Sequence, residues 1–223
     1  MTELLTRSCL AGPTEEALLD DTIGRVFART AREFADREAL VVRHQGIRWT
    51  YGEYLEQVDR LACGLLALGI EPGDRVGIWA PNCYEWCLTQ FASARMGAIM
   101  VCINPAYRLY ELEYALNKVQ CKCIIAAEQF KTSDYLGMLR ELAPELERCE
   151  PGELHAAKLP HLSTVIRMGD APTPGMFNFA DVCAMGGDTE ATRLTGIDAS
   201  LQPGDAINIQ FTSGTTGNPK GAT

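Results

Sequence analysis

An excess of positive charge is missing from this 223-residue chain: 20 Lys and Arg stand against 29 Asp and Glu, a formal net charge of −9. Nucleic-acid binding and attraction to anionic membranes both rest on Lys and Arg, so both partner classes are disfavoured. A local basic spot can still hold a nucleotide. Long apolar runs are missing too. The longest stretch of apolar residues and glycine, Leu61 to Ile70, is too short to span a bilayer, so no integral membrane segment is expected. Histidine is scarce. His44, His155 and His161 sit beside predicted loops without a Ser, Cys or acidic partner at a suggestive spacing, which favours surface placement over catalysis. Residues 1–21 carry Glu3, Glu15, Glu16, Asp20 and Asp21 against Arg7. They form neither an Arg-rich transit peptide nor an apolar secretory core. Cytoplasm is the default expectation; the alternative, the mitochondrial matrix, needs a transit segment upstream of Met1 or cleaved from it.

Cysteine, by contrast, is plentiful. The count is nine, an odd number spread through apolar segments, which fits reduced thiols better than a disulfide framework. Cys121 and Cys123 share one face of a predicted strand, and Cys83 and Cys87 stand at i, i+4 on a predicted helix. With no second pair or His at zinc-finger spacing, packing is the better reading of both. Trp79, Trp86 and Phe91 read as residues packed between helix and sheet.

Residues 1–21 read as a loosely ordered lead-in, and a helical pattern starts at Thr22 with Ile23, Val26, Phe27, Thr30 and Phe34 on one face. Ala39 to His44 and Ile47 to Tyr51 predict a hairpin about Gln45-Gly46. Thr50 and Glu53 form a capping box that opens the next helix, ended by Gly69 and Pro72-Gly73. Strands over 75–80, 98–103 and 121–127 alternate with helices over 84–96 and 108–119. That order implies βαβ units and a parallel-rich α/β sheet. A helix over 133–142 and a strand over 163–168 follow. Residues 169–204, rich in Pro, Gly and Asp, are expected to be irregular apart from a short helix over 179–185. A last strand, 206–211, delivers the chain into a Gly- and Thr-rich loop. There is no internal repeat.

That loop carries the chemistry. Thr212, Ser213, Gly214, Thr215, Thr216, Gly217, Asn218, Pro219, Lys220 and Gly221 combine side-chain hydroxyls, permissive glycines and one cation without a carboxylate. Glycine lets backbone N–H groups approach a ligand closely, hydroxyls donate to oxyanions, and Lys suits phosphate. At the end of a strand this set describes a polyphosphate cradle. It is not a Walker A loop, which needs Ser or Thr after the Lys and then a helix. Pro219 and Gly221 flank Lys220 instead, and a helix opening at the Lys is not expected. No Gly-x-Gly-x-x-Gly is present.

The stretch 212–221 resembles, at every defined position, the phosphate-loop signature of the adenylate-forming (AMP-binding) superfamily. Arg48-Trp-Thr-Tyr51, Gly73-Asp-Arg-Val-Gly77, Ala80-Pro-Asn82, Ile103-Asn-Pro-Ala-Tyr107 and Glu111-Leu-Glu-Tyr-Ala-Leu116 are similar to further blocks of its acyl-CoA synthetase branch, above all the medium-chain fatty acid enzymes. The resemblance covers about residues 22–223 and implies the N-terminal part of that family's large domain. It implies a fatty acid, ATP with Mg²⁺ and coenzyme A as partners: acyl-AMP forms first, and the acyl group then passes to the CoA thiol. It implies that residues 212–220 hold the β- and γ-phosphates and that Thr212 positions Mg²⁺. The family's Tyr-Gly-x-Thr-Glu and Thr-Gly-Asp blocks and its catalytic Lys have no match here, so no catalytic residue is assigned. The isolated chain is expected to be inactive and to fold poorly, exposing a sheet edge. An aryl- or amino-acid-activating enzyme and a non-catalytic truncated product that binds nucleotide weakly are the alternatives. The sequence leaves the oligomeric state open.

Overall fold

A computed structural model describes residues 12, 15, 17–212 and 218–223. Most of the expected lead-in over 1–21 therefore lies outside the described residues. The first ordered element is α1 (Ile23–Glu33), which starts where Thr22 accepts a hydrogen bond from the Arg25 amide at 3.2 Å. β1 (Glu38–Val42) and β2 (Ile47–Thr50) form the expected hairpin. Its turn is a short 3₁₀ stretch closed by Gly46 at φ +69°, a conformation that favours glycine.

Thr50 and Glu53 form the reciprocal cap of α2 (Tyr51–Ala67): the Glu53 carboxylate accepts from the Thr50 amide at 2.8 Å, and the Thr50 hydroxyl accepts from the Glu53 amide at 3.3 Å. The βα alternation then unfolds as read: β3 (Arg75–Trp79), α3 (Tyr84–Met96), β4 (Ile99–Cys102), α4 (Leu109–Lys118) and β5 (Cys123–Ala126). A two-residue ribbon, β6 (Gln129–Phe130) and β7 (Ser133–Asp134), leads into α5 (Tyr135–Leu142). After β8 (Thr164–Arg167) and β9 (Phe177–Asn178) come α6 (Phe179–Met185), α7 (Asp188–Ser200), β10 (Asn208–Thr212) and β11 (Lys220–Ala222).

The main sheet has the order β11-β10-β4-β3-β5-β8-β9. All its strands are parallel except the edge strand β11, which runs antiparallel to β10. The unit β3-α3-β4 steps one way along the sheet and β4-α4-β5 steps back across β3. With right-handed crossovers, that reversal puts α3 and α4 on opposite faces. Accordingly α1, α2, α3, α6 and α7 pack among themselves, while α4 and α5 meet each other. With both faces covered, β5 and β8 are buried throughout, as central parallel strands must be. Among the described residues no helix is long and apolar enough to cross a membrane.

Several elements depart from the sequence reading: β6, β7, β9 and β11 were not expected as strands, and the largest difference is a helix. Residues 188–200 form α7, where irregular chain was expected. Its Thr, Gly and Asp content gives a weak helical signal, and the helix is held from outside. Arg25 donates to the carbonyls of Asp198 at 2.9 Å and Leu201 at 3.1 Å, the carbonyls a helix C-terminus leaves unpaired. Arg95 bonds the Asp198 carboxylate at 3.3 Å.

Candidate functional site

In parallel sheets all strands end at one edge, where ligands bind. Here Thr212, Cys102, Trp79, Ala126 and Arg167 close their strands on that edge. β10 runs beside β4, with Gln210 opposite Cys102, so the loop after Thr212 emerges next to the passage 103–108 that links β4 to α4.

The loop is the connection of a hairpin. Gln210, Phe211 and Thr212 pair with Ala222, Gly221 and Lys220. The Thr212 hydroxyl donates to the Lys220 carbonyl at 3.4 Å. Of the residues assigned to the phosphate cradle, Ser213, Gly214, Thr215, Thr216 and Gly217 lie outside the described residues. Thr212, Asn218 and Lys220 are exposed and Pro219 is half-buried. Among the described residues Lys220 joins no ion pair. A strand opens at Lys220 rather than a helix, as Pro219 and Gly221 foretold. Gly221 also fits closely: a Cβ there would lie 3.1 Å from Ile209 Cγ2.

Two tyrosines, Tyr107 of the β4–α4 passage and Tyr114 of α4, touch the stems of this loop, and sequence reasoning assigned a role to neither. The Tyr107 ring meets Phe211 edge-on, with centroids 6.4 Å apart. The Tyr114 hydroxyl donates to the Pro219 carbonyl at 3.1 Å. Burial raises the Tyr107 phenol above its ordinary range, and nearby Glu111 adds to this. Both tyrosines belong to blocks that resemble the acyl-CoA synthetases, which was the one available signal. On the other side of β10, Gln210 and Asn208 point side-chain amides at Cys102 Sγ, at 3.1 and 3.6 Å. Burial raises this thiol and the two amides partly offset it. A cleft of about 540 Å³ lined by Ala206, Asn208, Gln210 and Ala222 runs along the β10–β11 ribbon.

The remaining candidates are structural. Cys121 and Cys123 are buried. The Cys121 thiol bonds the Cys123 carbonyl at 3.0 Å and is pushed up to about 12 by burial. Cys83 precedes the first turn of α3 and is likewise pushed to about 12 by burial; Cys87 is half-buried. All three histidines are exposed. Among the described residues no group of three or more His, Cys, Asp or Glu is placed to hold a metal. Trp79 packs inside as expected. Phe91 instead stacks on Phe27 of α1 at 4.1 Å, because α3 meets helices as well as the sheet. Trp86 is partly buried and lines a surface cleft with Val41 and Val42.

A family model described as AMP-binding enzyme matches residues 27–223. The medium-chain acyl-CoA ligase ACSF2, mitochondrial, of Mus musculus is 48% identical over 217 residues, covering 97% of this chain and 35% of that protein. The chain thus spans about a third of that curated relative's length. A putative long-chain-fatty-acid CoA ligase from Rhodopseudomonas palustris is similar in structure, with a TM-score of 0.69, 27% identity, and coverage of 92% of this chain and 44% of that one. An anthranilate CoA ligase solved with anthranoyl-AMP shares the fold at TM-score 0.70 and 21% identity, over 92% of this chain and 35% of its own.

Proposed function

As the chain belongs to the AMP-binding enzyme family, we propose that it is the phosphate-gripping portion of a carboxylic acid–CoA ligase. In the reaction proposed, a carboxylate oxygen attacks the α-phosphorus of ATP, giving acyl-AMP and releasing pyrophosphate. The CoA thiol then attacks the acyl carbonyl, giving the thioester and AMP. The observation that carries the reading is the Thr212–Lys220 pair, which closes a Gly- and hydroxyl-rich loop at the carboxyl edge of a parallel sheet.

In this proposal residues 22–223 form the N-terminal part of the large domain. Thr212, Ser213, Gly214, Thr215, Thr216, Gly217, Asn218, Pro219 and Lys220 hold the β- and γ-phosphates. Transfer chemistry of this kind needs mainly positioning and charge neutralisation, which N–H groups, hydroxyls and Lys supply. The Thr212 hydroxyl is a hard oxygen donor that suits Mg²⁺ alongside substrate phosphates. When bound, the metal neutralises charge on those phosphates. Because the chain covers 35% of the mouse relative, the whole reaction belongs to a protein of that length. This stretch supplies the phosphate grip of that reaction.

The mouse relative's description as a medium-chain, mitochondrial ligase supports a medium-chain fatty acid as substrate, and the matrix over the cytoplasm as location. ATP–pyrophosphate exchange by the natural-length protein tests the reading against fatty acids of increasing length, an aryl acid and amino acids. Exchange that peaks with a medium-chain acid is expected. A peak with an aryl or amino acid would assign a different substrate class. Absence of exchange with every acid would sink the ligase reading.

A further inference from the structure

We propose that Tyr114 is a positioning residue for the phosphate loop, acting through its hydrogen bond to the Pro219 carbonyl; the proposal rests on the phosphate-loop reading above. The β10–β11 ladder ends at the pair Thr212–Lys220. Pro219, the next residue toward the loop, has no N–H and cannot extend the ladder as a donor. Its carbonyl still needs a partner, and the Tyr114 hydroxyl supplies one at 3.1 Å. Among the described residues this is the one side-chain hydrogen bond to the outgoing stem before Lys220.

The donor comes from a rigid place. Leu112, Ala115 and Leu116 bury the inner face of α4, and the Arg108 amide donates to the Glu111 carboxylate at 3.2 Å in its first turn. The Tyr114 ring is half-buried, where a hydrogen bond competes with less water than on an open surface. Tyr107 holds the incoming stem by packing on Phe211, so the β4–α4 passage and the helix it leads into each hold one stem of the loop. Fixing a stem beforehand lowers the ordering cost charged to ligand binding.

The test compares Tyr114→Phe with wild type in the natural-length protein, with Tyr110→Phe as control, since Tyr110 is 68% exposed on the same helix. The KM for ATP, the KM for the carboxylate and the hydrogen exchange of peptides covering β11 are measured. Losing one hydrogen bond should raise the KM for ATP about two- to tenfold. The carboxylate KM should stay unchanged and the β11 amides should exchange faster, while Tyr110→Phe moves none of these. Unchanged exchange and unchanged ATP KM overturn the proposal. So does faster exchange with ATP KM unchanged, which would make the hydroxyl structural only. A wild-type protein that does not bind ATP brings down the phosphate-loop reading and this proposal with it, an outcome distinct from the other two.

Discussion

The indole of Trp79 and the phenol of Tyr135 lie face to face, with ring centroids 3.7 Å apart and planes 13° from parallel. Each also donates to a consecutive carbonyl of the β4–α4 passage, Trp79 to Asn104 at 3.2 Å and Tyr135 to Pro105 at 2.7 Å. The stack therefore joins β3 to α5 and fixes the base of the segment from which Tyr107 and Tyr114 reach the phosphate loop. Both side chains are fully buried, and burial pushes the Tyr135 phenol up to about 12, so it stays a donor. Tyr135→Phe should cost about 1 kcal/mol of stability for the lost hydrogen bond. Trp79→Ala should cost about 3–5 kcal/mol, as large-to-small core changes do. Urea unfolding measures both; equal losses would mean that the Pro105 bond, rather than the stack, dominates.

Arg95 carries the second prediction. Its guanidinium, with a side chain only 6% exposed, bonds Asp59 of α2 at 2.5 Å and Asp198 of α7 at 3.3 Å. Burial raises the Asp59 carboxyl despite the pull of Arg95. Arg95→Met would remove the guanidinium that bonds both carboxylates, leaving Asp59 only the attraction of Arg32, a loss of about 3 kcal/mol. A loss near zero in urea unfolding would mean that water reaches the cluster and screens it.

Gly64 tests the close approach of two helices. A Cβ at this position of α2 would stand 1.9 Å from the Val182 carbonyl oxygen of α6. Gly64→Ala gains about 1 kcal/mol of helix propensity but forces the helices apart. With a backbone oxygen in the way, the clash costs about 3 kcal/mol, so the net effect should be destabilising by about 2 kcal/mol. A stabilised variant in thermal unfolding would show that α6 shifts at little cost.

Asp21 sets an acid-side pH dependence. Hydrogen bonds from Arg25, then Arg29 and the Thr22 amide, hold its carboxyl down to about 2 from an ordinary 3.8. The unfolded chain therefore binds more proton between those values, so this contribution is present above pH 3.8 and is lost as pH falls toward 2. Asp21→Asn should lower the urea midpoint at neutral pH, and the gap to wild type should close by pH 2. A gap that persists at pH 2 would mean that the Asn amide disturbs α1 in another way.

Lys220 is exposed on β11, so Lys220→Met should leave stability unchanged. If it neutralises phosphate charge, pyrophosphate exchange by the natural-length protein should fall by about 10²–10³-fold, the scale for losing one preorganised charge-stabilising group. Full exchange with the Met variant would remove Lys220 from the phosphate grip.

Much of this was legible in the sequence because the signals are local. The Thr50–Glu53 cap, the Gly46 turn and the βα alternation each depend on residues a few positions apart, and the structure places them where the spacing did. That no helix opens at Lys220 was legible for the same reason, since Pro219 and Gly221 beside it constrain the backbone. Three features were decided only by tertiary structure. α7 forms from residues of weak helical signal because Arg25 and Arg95, from α1 and α3, satisfy its last carbonyls and Asp198. β11 exists because β10 offers it an edge. The Tyr114–Pro219 bond joins residues 105 positions apart, and no local pattern encodes a contact made only once β10 has settled beside β4.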